Sequence, residues 1–96
     1  MDIKKLKAFA VVAEFGSFSR AAAVLGVVQP MLSRQVRSLE EELGIQLVHR
    51  NGRGIVLTEA GSLLNEYAKG ILATLARAES EVGALRANPR GNVVIG

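Results

Sequence analysis

The sequence contains no cysteine and no tryptophan, and it has a single histidine. Without cysteine the chain can form neither a disulfide framework nor a thiolate metal site, and it has no cysteine nucleophile. His49 alone cannot assemble a zinc site, because such a site needs several protein ligands. No acid–base pair or nucleophile–base set can be identified either. We therefore expect no enzyme activity, no metal and no cofactor, and a reducing, cytoplasmic setting.

Long apolar runs are also absent. The longest, residues 8–13 and 21–28 with Gly26 interrupting the second, fall well short of the roughly 18 residues of a membrane span. Lysines precede residues 8–13, as in a secretion signal, but Glu14 ends that run and no cleavage-like site follows. We expect no membrane segment and no secretion signal.

Charge is unevenly distributed, although the net value is only +3. Residues 1–58 carry eight Lys or Arg and five Asp or Glu, whereas residues 59–96 carry four of each kind. The excess of positive charge therefore lies in the first part of the chain. This distribution suits a phosphate-facing module joined to a neutral one.

The first part predicts three helices. Asp2 is a good N-cap for the first helix, and Gly16 suits its end. We expect Ser19 to cap a short second helix, with Phe18 as a hydrophobic staple before it and Gly26 at its end.

A third helix follows after a tight turn, from Gln29 to Leu43, with Pro30 in its first turn, where a missing N–H costs nothing. Its predicted buried stripe consists of Leu32, Val36, Leu39 and Leu43. Two helices joined by so short a turn are typical of a helix-turn-helix. Residues 45–49 and 55–57 favour β-strands, and the Asn51-Gly52 turn between them predicts a hairpin with a basic tip. The prediction for residues 1–58 is a mainly α, winged helix-turn-helix domain.

Thr58 is expected to cap a fourth helix that runs from Glu59 to about Ala87. Apolar and small residues recur along it at alternating spacings of four and three, which is the pattern of a dimerisation helix. Such a helix is roughly 40 Å long, more than so small a domain can bury, and the simplest partner is a second copy. The predicted dimer interface consists of Leu64, Ala68, Ile71, Leu75, Ala78, Val82 and Leu85. Residues 88–96 are predicted to form a hinge and the first strand of a further domain.

With its apolar stripe buried, the third helix presents a short-armed polar face at its N-terminal end. That face consists of Gln29, Pro30, Ser33, Arg34 and Arg37. Arginine can bond guanine bidentately, glutamine can bond adenine, serine can read either base or grip a phosphate, and proline suits a thymine methyl group. An ordinary solvated face is the alternative interpretation. The helix-turn-helix context favours contact with double-stranded DNA.

The hairpin offers Arg50 and Arg53, which are predicted to enter a minor groove or to hold phosphates. An exposed hairpin tip without function is the alternative. Two other classes of protein compete with a sequence-specific DNA-binding dimer. An architectural DNA binder would need more basic residues and a wedge residue. A purely protein–protein dimerisation module would leave the polar face of the third helix unexplained.

Taken together, several segments resemble the LysR-type transcriptional regulators. The matching residues are 6–9, 16–22, 25–36, 39–44, 47–50 and 57–61, which read LKAF, GSFSRAA, LGVVQPMLSRQV, LEEELG, LVHR and LTEAG. The resemblance implies a winged helix-turn-helix and a linker helix that dimerises antiparallel. It also maps base contacts onto Gln29, Pro30, Ser33 and Arg34, and wing contacts onto Arg50 and Arg53.

For a full-length family member, the resemblance further implies an effector-binding domain beyond the hinge. It implies a small-molecule co-inducer held by that domain, assembly into tetramers, and binding to an interrupted palindrome near a bacterial promoter, at the nucleoid. Two positions depart from the family pattern. Val28 stands where serine usually caps the recognition helix, and Val48 replaces a common phenylalanine. The first change removes a cap that contributes about 1 kcal/mol.

Overall fold

The computed structural model describes residues 1–87, and it confirms a mainly α fold with a two-stranded hairpin. The elements in chain order are α1 (Ile3–Phe15), α2 (Phe18–Leu25), α3 (Gln29–Leu43), β1 (Val48–Asn51), β2 (Gly54–Leu57) and α4 (Glu59–Ala87). The predicted hinge and strand at residues 88–96 lie outside the described residues. None of the helices within residues 1–87 combines the length and apolar character that a membrane crossing requires.

The two ends of α1 agree with the prediction. The Asp2 carboxylate accepts a hydrogen bond from the Lys5 backbone N–H at 2.8 Å, and Gly16 ends the helix in the left-handed conformation. The predicted start of α2 is wrong by two residues. Ser17, not Ser19, is the N-cap, because its extended backbone lets its hydroxyl accept from the Arg20 N–H at 3.2 Å. Phe18 is consequently the first residue of α2 and is buried in the core.

The helix α3 has the predicted bounds, and Val28 precedes it without a side-chain capping hydrogen bond. The prediction that Leu43 is buried is wrong, since 41% of its surface is exposed. No element among residues 1–87 covers the last turn of α3 on that side. Nearby, the Glu42 carboxylate contacts the Lys5 ammonium and the N-terminal amine. The hydrogen bond from Lys5 lowers the pKa of Glu42 below its ordinary value.

The core lies between the first three helices and the hairpin. α1 packs against α2, α3 and α4 and thus occupies the centre of the fold. The largest fully buried side chains are those of Phe9, Val12, Leu32, Val36, Leu39 and Leu47. Full burial of such a side chain contributes about 1.5–3 kcal/mol, so this core fixes the angle at which α3 projects from the domain.

The first strand begins later than predicted, and the turn of the hairpin is tighter. β1 and β2 pair antiparallel from Val48 opposite Leu57 to Asn51 opposite Gly54, so only two residues form the tip. Residues 45–47, predicted to begin the first strand, are not part of it. The Glu40 carboxylate accepts the N–H groups of Leu47 and Val48, at 2.8 and 3.3 Å, and thereby ties this segment to α3 instead.

The start of α4 is anchored to the rest of the domain. Thr58 caps the helix by accepting from the Gly61 N–H at 2.9 Å, and its hydroxyl donates to the Gln46 carbonyl at 2.7 Å. Gly61 lies against the Leu47 backbone, where a Cβ would come within 2.0 Å of the carbonyl oxygen. α4 therefore leaves the domain in a fixed direction.

Candidate nucleic-acid interface

The five residues predicted on the polar face of α3 lie together at its N-terminal end. Gln29, Pro30, Arg34 and Arg37 are exposed, and Ser33 is half-buried. Pro30, Ser33, Arg34 and Arg37 line one shallow cleft. The opposite face of the same helix carries the buried Leu32, Val36 and Leu39, which explains why the polar face points away from the domain.

The two hairpin arginines occupy different places. Arg53 lies in the tip, where its backbone N–H donates to the Asn51 side chain at 2.8 Å and its side chain is exposed. Arg50 lies farther down, on β1. Its Nη2 donates to the Ser33 hydroxyl, and its guanidinium stacks over the Phe18 ring with 4.3 Å between Cζ and the ring centroid. Arg50 thus connects the hairpin with α3 and α2, a role that the sequence did not indicate.

A second contact that sequence reasoning missed joins α2 to α3. The Ser19 hydroxyl donates to Gln29 Oε1 at 3.1 Å. Both residues line a cleft between the start of α2 and the hairpin, together with Ser17, Phe18 and residues 50–55. No sequence pattern signals this pair, because the angle between the two helices, rather than a periodic spacing, brings the side chains together.

Backbone contacts hold the hairpin next to this cleft. The Ile55 N–H donates to the Gly16 carbonyl at 3.0 Å. Gly54 has a φ of +143°, and a Cβ there would come within 2.4 Å of the same oxygen. Only glycine fits such a close approach of two backbones. The hairpin tip consequently stands at a defined distance from the N-terminal end of α3.

The charge of this surface is not compensated locally. Among residues 1–87, none of Arg34, Arg37, Arg50 and Arg53 forms an ion pair; the pairs present involve Glu42. Glu40 and Glu42 are engaged near the C-terminal end of α3, away from its polar face. An uncompensated cluster of guanidinium groups attracts polyanions. In the same part of the chain, no group of three or more His, Cys, Asp or Glu could hold a metal ion.

The predicted dimer interface on α4 divides into two faces. Leu64 packs against the core of its own domain and Ala68 has no exposed surface, so Ala68 is not available to a partner. Farther along, Ile71, Ala78, Val82 and Leu85 are exposed and Leu75 is half-buried. These five residues stay a predicted interface.

Two large apolar residues on α4 were missed. Leu63 and Tyr67 are 57% and 65% exposed. An α-helix turns by about 100° per residue, so Leu63 and Tyr67 lie on the same side of α4 as the other exposed apolar residues, within an arc of about 100°. Together these residues form one apolar stripe along the helix. We call it the α4 stripe; its members are Leu63, Tyr67, Ile71, Ala78, Val82 and Leu85. Spacing alone could not separate this stripe from the adjacent face that packs against the chain's own domain.

Comparison with known proteins identifies relatives over almost the whole chain. The family model described as bacterial regulatory helix-turn-helix protein, lysR family, matches residues 3–62. An HTH-type transcriptional regulator of Xanthomonas campestris pv. campestris is 44% identical over 90 residues, which are 94% of this chain and 26% of that protein. The nitrogen assimilation regulatory protein nac of Klebsiella aerogenes is 41% identical over 96 residues, which are 100% of this chain and 32% of that protein. The chain thus spans about a third or less of the length of these curated relatives.

A solved structure shares the fold in detail. The BenM_DBD chain in its complex with catB site 1 DNA superposes with a TM-score of 0.86 at 38% identity, covering 92% of this chain and 99% of that one. Because identity and coverage are both high, the likeness extends to the helices, the hairpin and most of α4. It confirms the winged helix-turn-helix architecture predicted from the sequence.

Proposed function

The chain belongs to the lysR family of bacterial regulatory helix-turn-helix proteins, and from this membership we propose that it is the sequence-specific DNA-binding module of a transcription regulator. In this proposal α3 is the recognition helix and its N-terminal end enters the major groove. The hairpin is the wing, and Arg53 at its tip contacts the minor groove or the phosphates beside it.

The observation that carries the proposal is the exposed N-terminal face of α3 beside an uncompensated basic hairpin. Arg34 is exposed next to Pro30 and can present a bidentate donor to guanine O6 and N7. Arg37, one turn of helix farther from the N-terminus, contacts a phosphate in this proposal. The solved relative BenM_DBD, which shares this fold, is described as a complex with DNA.

The α4 stripe supports a dimer as the working unit. Its exposed members include Val82, with 67% of its surface open, and Leu85. Pairing two copies through this stripe, antiparallel as the family resemblance implies, would present two recognition helices to one duplex. A two-fold symmetric protein binds a palindromic site whose half-sites lie about one helical turn, or a multiple of it, apart. We propose that the target is such an interrupted palindrome.

The division of labour along the chain is proposed in the same terms. Residues 1–58 bind DNA, residues 59–87 link and dimerise, and residues 88–96 lead to an effector-binding domain in the longer protein. A small-molecule co-inducer and assembly to a tetramer belong to that longer protein. A regulator of this kind works in the bacterial cytoplasm, at the nucleoid, and is not an enzyme.

Selection of bound DNA from a random pool at fixed salt tests the proposal. We expect enrichment of an interrupted palindrome, whereas recovery without sequence preference would favour an architectural DNA binder and contradict the proposal.

Arg34→Ala should weaken binding to the selected site by about 1–3 kcal/mol and relax the preference of the protein at one base pair. Arg37→Ala, the matched control one turn away, should weaken selected and random DNA about equally. If Arg34→Ala also weakened binding to selected and random DNA equally, the prediction that Arg34 contacts a base would be wrong.

A further inference from the structure

We propose that Arg50 is a positioning residue that holds the Ser33 hydroxyl as a hydrogen-bond donor toward DNA and thereby sets which base Ser33 accepts. The inference rests on the proposed function, and it assigns Arg50 a role different from a phosphate contact at the wing. Its basis is the set of contacts that Arg50 makes within the chain.

Arg50 is held from two sides. Its guanidinium lies over the ring of Phe18, a core residue that is only 5% exposed. On strand β1, Arg50 pairs with Ile55, whose own N–H is bonded to the Gly16 carbonyl. A planar guanidinium on an immobile aromatic ring loses little further freedom when it forms a hydrogen bond. Arg50 therefore presents its Nη2 to Ser33 from a rigid support.

In this hydrogen bond only Arg50 can be the donor. A guanidinium has donors and no acceptor, whereas a serine hydroxyl has one donor and two acceptor sites. Ser33 must therefore accept from Arg50, and its own proton must point elsewhere. Among residues 1–87 the Ser33 hydroxyl donates to no other group, and the cleft it lines with Pro30, Arg34 and Arg37 is open to solvent.

The consequence for DNA reading is a preference for acceptors. With one acceptor site occupied by Arg50, Ser33 can donate its proton to guanine N7 or O6, adenine N7 or thymine O4, whereas only one acceptor site remains for the amino groups of cytosine and adenine. An unconstrained serine keeps both acceptor sites and can turn freely toward either kind of group. Arg50 would thus narrow the preference at one base pair without contacting the base itself.

The hairpin supplies its own control. Arg53 carries the same charge on the same hairpin, but its side chain is exposed at the tip, and among residues 1–87 it forms no hydrogen bond or ion pair with α3. A role that depended only on positive charge near the phosphates would make Arg50 and Arg53 equivalent. A positioning role makes them different.

The experiment measures the affinity of Arg50→Ala, Arg53→Ala, Ser33→Ala and the double variant Arg50→Ala/Ser33→Ala. Each is tested with the selected site, with every single-base substitution of it, and with sites carrying 7-deaza purines, which lack the N7 acceptor. We expect Arg50→Ala and Ser33→Ala to reduce discrimination at the same base pair by about tenfold. The double variant should discriminate no worse than Ser33→Ala alone, because residues that act as one unit are not additive.

Arg53→Ala should instead lower the affinity for all sites evenly and reduce the salt dependence by about one phosphate contact. Arg50→Lys retains the charge and a donor but loses the planar stacking on Phe18. Compared with Arg50→Ala, this variant should therefore recover more of the affinity for random DNA than of the preference at the base pair that Ser33 contacts. Circular dichroism and urea unfolding establish that each variant is folded.

Two outcomes would overturn the inference. The first is an even loss across all sites in Arg50→Ala, with base preference intact, which would make Arg50 a phosphate contact. The second is an additive double variant. A wild-type chain that selects no sequence at all would instead contradict the proposed function itself, so the two failures are distinguishable.

Discussion

Val28 occupies the N-cap position of α3 with a side chain that cannot cap the helix. The residue has the extended backbone of an N-cap, forms no side-chain capping bond and exposes 67% of its surface. Because the valine buries little apolar area, its replacement by a capping residue costs little. Pro30 has no N–H, and the Met31 N–H donates to the Val28 carbonyl at 3.1 Å. The Gln29 N–H is left for water or for DNA phosphate.

We therefore predict that Val28→Ser stabilises the chain by about 1 kcal/mol, the usual contribution of a serine N-cap. Urea unfolding followed by circular dichroism measures the change. Val28→Ala is the control, since it removes the branched side chain without supplying a cap, and it should leave the free energy of unfolding nearly unchanged. Equal values for the two variants would mean that another group already satisfies this helix end.

At the residue scale, the types of side chain on the N-terminal face of α3 could be predicted, whereas the residues that they contact could not. Helical spacing places Gln29 and Ser33 on the face opposite the buried stripe, and the structure agrees. Their contacts with Ser19 and Arg50 depend on the angles at which α2 and the hairpin meet α3. Those angles are set by packing in the core, which no local pattern encodes.

At the scale of elements, glycines with the same local chemistry have opposite roles in α4. Gly61 is pressed against the Leu47 backbone, where a Cβ would come within 2.0 Å of the carbonyl oxygen. A Cβ on Gly70 would meet nothing within 4 Å. Alanine favours a helix by about 1 kcal/mol over glycine at both positions. Whether a substitution by alanine raises or lowers the free energy of unfolding therefore depends on what the added Cβ contacts.

Gly61→Ala should therefore destabilise the chain, because neither backbone can yield without moving α4 away from the hairpin. Gly70→Ala should stabilise it by up to about 1 kcal/mol. Urea unfolding compares them at protein concentrations below those at which copies associate, since Gly70 lies beside the α4 stripe. A stabilised Gly61→Ala would show that the start of α4 is not held against Leu47.

Apart from the start of α2, the helix bounds could be predicted closely from sequence, because caps and glycines are local signals. α3 and α4 begin and end at the predicted residues. The start of the first strand could not be predicted, because it is fixed by a carboxylate on another element, α3. Glu40 takes the N–H groups that the β-favouring segment would otherwise pair, and β1 begins only at Val48.

At the scale of the whole molecule, α4 carries two apolar faces with different surroundings. Its first half turns Gly61, Leu64 and Ala68 toward its own domain. The α4 stripe continues past that contact to Leu85, with nothing in residues 1–87 covering it. A heptad count merges these faces, because both consist of apolar residues at the same spacing. Burial separates the two faces, and the exposed one is the face that we propose pairs with another copy.

This separation makes a sharp test of the dimer possible. Val82 is 67% exposed and lies four turns of helix beyond Ala68, so Val82→Asp should leave the domain folded. A charge placed in an apolar interface is strongly unfavourable, so the variant should be monomeric by light scattering. It should bind the palindrome at least about 100-fold more weakly, because the second half-site is no longer linked to the first.

Ser80→Asp is the matched control, because it adds the same charge to an exposed position on the opposite side of α4. It should remain a dimer and bind the palindrome as the wild type does. Binding of Val82→Asp to a single half-site should also be unchanged, since no residue of the recognition helix is altered. A dimeric Val82→Asp would place the contact between copies elsewhere on the molecule. Because half-site affinity is measured separately, that result would leave the DNA-reading surface of α3 intact as a proposal.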